Sequence, residues 1–290
     1  MSEEEPVFEL GANRYGKSKI RLVTVRRDPG RHSLRDLTVD VALEGDFTAA
    51  HVDGDQAHVI ATDTMKNTVY AFARDRLTGA VESFGLEIAR HFAAYPQVDR
   101  ATVTLREHDW ARIPLAGGPA PDAFTRSGQL TRVAVVAAGA TGTRVEAGIE
   151  DLVVMKTTKS AFKGFARDRY TTLPDTDDRI MAIKITALWG YGETAADAGF
   201  DFDSAFERAR TTLLTVLAEH FSPAVQTSIW IMATAMLEGE PAMDWVRMVL
   251  PNLHHWTVNL EPFGLDNPGT VFVATTEPHG LIDATVRRGG

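Results

Sequence analysis

The sequence predicts an α+β protein made of two similar halves, each combining antiparallel strands with amphipathic helices. The first half opens on apolar residues that alternate over 19–25 and 36–44. The residues Asp28-Pro29-Gly30 lie between these runs, which is the pattern of a long β-hairpin. A helical pattern and returning strands follow, and the same order recurs in the second half. This recurrence indicates a tandem repeat that divides near residues 160–178.

Further elements of the first half follow from local periodicity. Residues 59–61 are predicted to end a strand at the corner formed by Thr62 and Asp63. An amphipathic helix is predicted next, because four aromatic or aliphatic residues recur at helical spacing: Phe84, Ile88, Phe92 and Tyr95. More strands are predicted at 103–105, 133–136 and 152–155, with glycine-rich breaks at 117–119 and 139–142.

The second half begins with a predicted strand over 180–189. Ser204 and Glu207 have the spacing of a capping box, so a helix is predicted to start there. Ser222-Pro223 predicts the start of another helix with proline at its first position, and Gly239 is predicted to close it. Strands are then predicted around 246–250, 254–260 and 271–275.

Composition excludes several classes of function. The 290 residues are 44% hydrophobic, enough for a substantial core, and the net charge of −9 disfavours binding to nucleic acid or an anionic membrane. The absence of cysteine excludes disulfides and thiolate chemistry. The acidic start of the chain is unlike a signal peptide, no apolar run is long enough to span a membrane, and the end lacks a peroxisomal address. We therefore expect a cytoplasmic protein.

Polar residues begin the predicted strand after Pro251. Because side chains alternate along a strand, Asn252 and His254 share a face with the apolar residues Trp256, Val258 and Leu260. A polar pair at the mouth of a buried face is consistent with a site, although a lone histidine there is more often a satisfied core residue. Adjacent strand residues point to opposite faces, so His254 and its neighbour cannot easily share one zinc ion.

Arg179 has a similar position at the head of a predicted strand. It precedes an apolar face formed by Met181, Ile183, Ile185 and Ala187. The ordinary interpretation is an arginine that meets solvent or a nearby carboxylate, here Asp177 or Asp178. The alternative is a planar, bidentate contact with a ligand, which guanidinium makes better than lysine.

Motifs for common cofactors are absent from the sequence. Gly16-Lys17-Ser18 lacks the spacing of a phosphate-binding loop, and no dinucleotide-binding glycine pattern is present. Three other segments are informative when they are taken in their order along the chain. They are 13–17 (Asn-Arg-Tyr-Gly-Lys), 61–70 (Ala-Thr-Asp-Thr-Met-Lys-Asn-Thr-Val-Tyr) and 251–255 (Pro-Asn-Leu-His-His). In this order they resemble urate oxidase (uricase), a cofactor-free enzyme that oxidises a purine with molecular oxygen. The resemblance extends from about Asn13 to about Ile282.

The resemblance implies a fold and a reaction. Two tandem tunnelling-fold (T-fold) domains, over 8–158 and 159–290, would have antiparallel sheets with helices on one face. They would assemble into a homotetramer around a β-barrel tunnel. Urate, oxygen and water would give 5-hydroxyisourate and hydrogen peroxide without cofactor or metal.

The resemblance also implies roles for particular residues. Those that would hold urate are Phe162 under the ring, Arg179, the Val225 backbone N–H, the Gln226 amide, Thr62, the Asp63 N–H and Asn252 above the ring. Lys17, Thr62 and His254 would move protons, which requires Lys17 to lose its charge. His255 would be structural or exposed. The family usually has a bulkier polar residue where Ala161 stands, and no role is assigned to Ala224.

The resemblance implies further that each active site is shared between subunits, with the Lys17 and Thr62 segments from one chain and the other residues from its neighbour. Two alternatives remain. One is another T-fold enzyme acting on a pterin or another purine, although its zinc-dependent members need cysteine or clustered histidine ligands. The other is an inactive purine-binding oligomer, which loss of Lys17 or Thr62 would indicate, yet both are present.

Overall fold

The computed structural model describes residues 8–196 and 199–289, which form two compact units. The first unit contains the chain up to Arg126, Val133–Glu146 and a short segment from Ala195. The second contains Ser127–Arg132, Ala147–Thr194 and the chain from Asp201 onward. The division of the chain into domains at 158/159 stays a prediction.

Four long strands of the described chain lie wholly or mostly in the first unit, in the order β1-β2-β3-β4. They are β1 (Tyr15–Asp28), β2 (Arg31–Gly45), β3 (Val98–Leu115) and β4 (Gly118–Gly139). The predicted hairpin is confirmed, because β1 and β2 pair antiparallel from Tyr15↔Leu43 to Asp28↔Arg31. Gly30 closes the turn at φ +78°, a conformation that favours glycine.

The described residues of the first unit also form the α-helices α1 (Thr48–Val52), α2 (Thr62–Arg76) and α3 (Val81–Ala93). The predicted helix through Phe84, Ile88 and Phe92 is α3, and it packs on β3. Its Gly85 approaches the sheet closely, since a Cβ there would lie 2.7 Å from Leu105 Cδ1. The alternating β2 residues Leu37, Val39, Val41 and Leu43 complete this core.

The predicted strand that ends at Thr62 is wrong. Residues 57–61 adopt turns and irregular backbone, and Thr62 is instead the first residue of α2. Met65, Val69 and Ala73 are buried at helical spacing. The Asp63 carboxylate accepts hydrogen bonds from the Lys66 and Asn67 side chains. Local charge pairs and a one-sided apolar stripe therefore stabilise a helix here.

The strands that lie wholly or mostly in the second unit follow the order β5-β6-β7-β10. They are β5 (Gly142–Lys156), β6 (Met181–Tyr191), β7 (Met243–Leu253) and β10 (Gly280–Arg287), while β8 (His255–Thr257) and β9 (Phe272–Ala274) form a separate pair. The apolar face predicted for β6 is confirmed, since Met181, Ile183, Ile185 and Ala187 are all buried. The strand predicted over 254–260 is wrong in extent, because β7 ends before His254 and β8 is only three residues long.

The α-helices in the described part of the second unit are α4 (Phe202–Glu219) and α5 (Val225–Gly239). The predicted capping box is wrong: Asp201 caps α4, and its carboxylate accepts from the Ser204 backbone N–H at 3.0 Å. Pro223 precedes the α5 cap instead of opening the helix, whereas the predicted end at Gly239 is confirmed. Among the described helices, none is long and apolar enough to cross a membrane.

Candidate active site

A cavity of about 700 Å³ in the second unit brings together four of the predicted site residues. Phe162, Arg179, Asn252 and His254 all line it. Two chain segments supply them: the loop between β5 and β6, and the end of β7 with the residues that follow. We call this space the second-unit cavity.

Arg179 is a partly buried cation that no carboxylate neutralises among the described residues. The two candidate partners have other contacts: Asp177 pairs with Lys163, and Asp178 accepts from the Thr158 hydroxyl at 2.6 Å and the Ser160 N–H at 3.3 Å. The expectation of an ion pair with either aspartate is therefore wrong. The buried Nε of Arg179 has no hydrogen-bond partner in the described structure. Burial lowers the pKa of the guanidinium, which nevertheless stays charged at neutral pH.

Phe162 lies directly beside this cation. The Arg179 guanidinium is 5.1 Å from the centre of the Phe162 ring, within the range of a cation–π contact. Phe162 also stacks on Phe165, with ring centres 4.8 Å apart and planes 13° from parallel. Two backbone hydrogen bonds with Thr176, of 2.8 and 2.9 Å, hold the Phe162 main chain. The Phe162 ring is thus held by contacts within the protein, beside the Arg179 guanidinium.

His254 lies where the chain leaves β7, and its ring stacks on Trp256 at 5.3 Å. Its carbonyl accepts from the Thr275 N–H at 2.9 Å, which fixes the break in the strand. Residues 252–257 all line the second-unit cavity, so strict alternation does not extend past Leu253. His255 is among them, with its Nδ1 3.0 Å from the Leu253 carbonyl. That His255 is structural or exposed stays a prediction.

Burial lowers the pKa of His254, and the charges of Arg179 and His279 lower it further. Both effects disfavour the imidazolium form, so the ring is predominantly neutral at pH 7. A neutral imidazole has one nitrogen that accepts a proton and one that donates. It can therefore exchange protons with a ligand beside Arg179.

Val225 and Gln226 open helix α5 as predicted, but they are not among the residues that line the second-unit cavity. Ala224 provides no side-chain cap in the described structure, so first-turn N–H groups keep their capacity to bind a ligand. A backbone bridge pairs Ser222 with Ser160, and the Ala161 N–H donates to the Ser222 carbonyl at 2.8 Å. The start of α5 is thereby joined to the segment that carries Phe162.

A buried hydrogen-bond chain at this junction was not predicted. The His220 Nε2 lies 2.9 Å from the Ser228 hydroxyl, which lies 2.7 Å from the Ser222 hydroxyl. Both serines are fully buried, and the Ser160 carbonyl next to them accepts from the Arg179 N–H at 2.8 Å. The chain therefore fixes the backbone shared by α5, Phe162 and Arg179. His220, Ser222 and Ser228 lie within nine residues of one another, but they span the end of α4, the connecting loop and helix α5, and no motif in this stretch indicates the chain.

The remaining predicted residues lie in the first unit. Lys17 is on β1, next to an irregularity in the pairing with β2. Thr62 and Asp63 open α2. The hydrogen bond from Lys66 is the main cause that lowers the pKa of Asp63, and the Lys17 charge contributes too. Lys17 therefore lies close enough to the start of α2 to influence it electrostatically.

The predicted site residues thus divide into two groups, one in each unit. The first-unit group is Lys17, Thr62 and Asp63, and the second-unit group contains all the others. Over residues 8–196 and 199–289, no three histidine, aspartate or glutamate side chains converge in a metal-binding cluster.

Comparisons with known proteins agree over nearly the whole chain. The family model described as Uricase matches residues 13–137 and 145–283. The uricase of Arthrobacter globiformis is 44% identical over 282 residues, covering 97% of this chain and 90% of that protein. The uricase of Dictyostelium discoideum is 35% identical over 280 residues, covering 95% and 96%. The crystal structure of the Arthrobacter globiformis uricase matches with a TM-score of 0.92 and 43% identity, covering 98% and 96%.

The Arg179→Gln variant should have a His254 pKa higher than that of the original protein. Removing the nearby positive charge makes the imidazolium form less unfavourable, while the neutral glutamine keeps much of the side-chain volume. Titration of the histidine ring protons by NMR measures this directly. The His279→Gln variant is the matched control and should raise the pKa less, because His279 contributes less than Arg179. An unchanged His254 pKa in the Arg179 variant would contradict the described electrostatics.

Proposed function

The chain belongs to the uricase family, and on that premise we propose how its residues divide the oxidation of urate. The protein is a urate:oxygen oxidoreductase, which converts urate, oxygen and water into 5-hydroxyisourate and hydrogen peroxide. The observation that carries the division of roles is the unneutralised Arg179, which lies over Phe162 in a cavity shared with a neutral His254.

The second-unit residues bind the substrate. Urate is a planar anion, so it needs a local cation in a protein whose net charge is −9. Arg179 supplies the cation and a bidentate fork for one edge of the ring, and Phe162 supplies an aromatic surface for stacking. The first-turn N–H of Val225 and the exposed Gln226 amide bind another edge. Asn252 lies on the remaining side, where oxygen meets the ring.

The proton transfers belong to Lys17, Thr62 and His254. A threonine hydroxyl is a poor acid by itself, but it can pass a proton between a base and the substrate. Lys17 acts as that base when it has lost its charge, and the Thr62 hydroxyl and Asp63 N–H contact the ring. His254 exchanges protons with the water that adds to the ring.

Electrons come from the substrate. Deprotonated urate is electron-rich, so it reduces oxygen directly and then accepts water at C5. The two electrons lost by urate reduce oxygen to hydrogen peroxide, and the added water supplies the hydroxyl group of 5-hydroxyisourate. We propose that the reaction needs neither a metal nor an organic cofactor.

Each complete site is shared between two chains of a homotetramer. The two groups of site residues lie in different units of one chain, which supports their combination across a subunit interface. Strand β1 stands at one end of the strand order and exposes Val23 and Val25, and an open apolar edge favours pairing with another chain. In this proposal the T-fold domains 8–158 and 159–290 form the β-barrel tunnel, and the enzyme is cytoplasmic.

Protein dialysed against a strong chelator should retain full urate turnover. The loss of urate absorbance and the appearance of peroxide, measured on the same sample, give the rate and the stoichiometry. Metal analysis before and after dialysis provides the control. Activity that returns only after addition of copper, iron or flavin would contradict cofactor independence.

The Arg179→Ala variant should bind urate about 10- to 150-fold more weakly, as expected for the loss of a charge-assisted contact of roughly 1.5–3 kcal/mol. The Thr62→Ala variant should instead lower kcat more than anaerobic urate affinity. Steady-state kinetics and anaerobic binding measure the two effects. The Arg210→Ala variant on α4 is the control, since Arg210 contacts Glu207 at the surface and should matter little. The opposite assignment of binding and turnover would reject this division of roles.

A further inference from the structure

Tyr15 connects the two chain segments that carry Lys17 and Thr62. Its hydroxyl accepts a hydrogen bond from the Ile60 N–H at 2.8 Å and donates one to the Ile60 carbonyl at 3.2 Å. Tyr15 lies two residues before Lys17, and Ile60 lies two residues before Thr62. One side chain therefore links the backbone beside both residues.

The backbone on each side of this link is irregular. Residues 57–61 form turns and coil without strand pairing, although Ile60 is buried. Buried N–H and carbonyl groups are costly when unpaired, and the Tyr15 hydroxyl satisfies both groups of Ile60. On β1, the pairing with β2 shifts between Lys17 and Ile20, and Lys19 has a φ of +56°. Regular secondary structure therefore does not by itself set the separation of Lys17 and Thr62.

The Tyr15 ring is itself held in place. It packs edge-on against Phe47, with ring centres 4.7 Å apart and planes at 84°. Phe47 is almost completely buried. Burial raises the pKa of the Tyr15 phenol above its ordinary value, although the hydrogen bond from Ile60 acts in the opposite direction. The phenol thus stays protonated near neutral pH, and it needs its proton to donate to the Ile60 carbonyl.

We propose that Tyr15 is a positioning residue for the Lys17–Thr62 proton transfer. This inference rests on the proposed function, because it assigns Tyr15 to the same relay. Tyr15 touches neither the substrate nor the transferred proton. It acts by fixing the start of α2 relative to β1, and a displacement of about 1 Å at such a site can cost on the order of 100-fold in rate.

The Tyr15→Phe variant tests this role, since it keeps the ring against Phe47 and removes both hydrogen bonds. We expect kcat to fall about 10- to 100-fold, while anaerobic urate affinity stays within about twofold. Tyr70→Phe is the matched control. The Tyr70 hydroxyl also joins α2 to β1, through the Arg21 carbonyl at 3.3 Å, but two turns beyond Thr62. We expect this variant to retain its kcat.

Thermal unfolding of both variants separates positioning from stability. Each loses a tyrosine hydroxyl that joins β1 to α2 or to the residues just before it, so a kcat loss confined to Tyr15→Phe supports positioning. Equal kcat in the two variants, or a weaker urate affinity with unchanged kcat in Tyr15→Phe, would overturn the inference. Lys17→Ala and Thr62→Ala distinguish its failure from that of the proposed function. If both retain full kcat, the relay itself is wrong, and Tyr15 then has no relay to position.

Discussion

The second-unit cavity depends on one constraint: Arg179 is partly buried, and no carboxylate in the described part of the chain neutralises it. Arg179 has lost part of its hydration, yet Asp177 and Asp178 bind other groups. The contact with the Phe162 ring offsets part of the free-energy cost of partly burying this cation, and an anionic ligand would offset it further. The same charge helps to keep His254 neutral, so anion binding and proton exchange have one electrostatic origin.

Polar contacts outside regular secondary structure fix the geometry in both units. In the second unit, the His220–Ser228–Ser222 chain fixes the start of α5 beside the backbone of Ser160. In the first unit, the Tyr15 hydroxyl satisfies the backbone N–H and carbonyl of the buried Ile60, which lies outside the strands. Buried polar groups are costly unless they are satisfied, so each network strongly favours one arrangement of its neighbours. The apolar core stabilises the fold, but it does not determine the arrangement of the residues around these two networks.

The sequence predicted elements wherever periodicity was regular. The β1–β2 hairpin, helix α3 and the buried face of β6 were all recognised from apolar spacing. The Asp201 cap and the break at His254 were missed, because single hydrogen bonds mark them. The start of α2 was missed although Met65, Val69 and Ala73 have helical spacing, and Ala61 provides no side-chain cap there. Most site residues came from the resemblance to urate oxidase and not from local pattern. Tyr15 and Ile60 are 45 residues apart, so no short-range signal could join them.

The central claim is that a complete site combines the first-unit residues of one chain with the second-unit residues of another. Lys17→Ala and His254→Ala proteins, each nearly inactive alone, test it most directly when refolded together in equal amounts. Random pairing makes about half of the site-sharing dimers mixed, and each mixed dimer has one intact site of two, so roughly a quarter of the original activity should return. No recovery in mixtures shown by mass spectrometry to contain hybrid oligomers would contradict the claim and place the site within one chain.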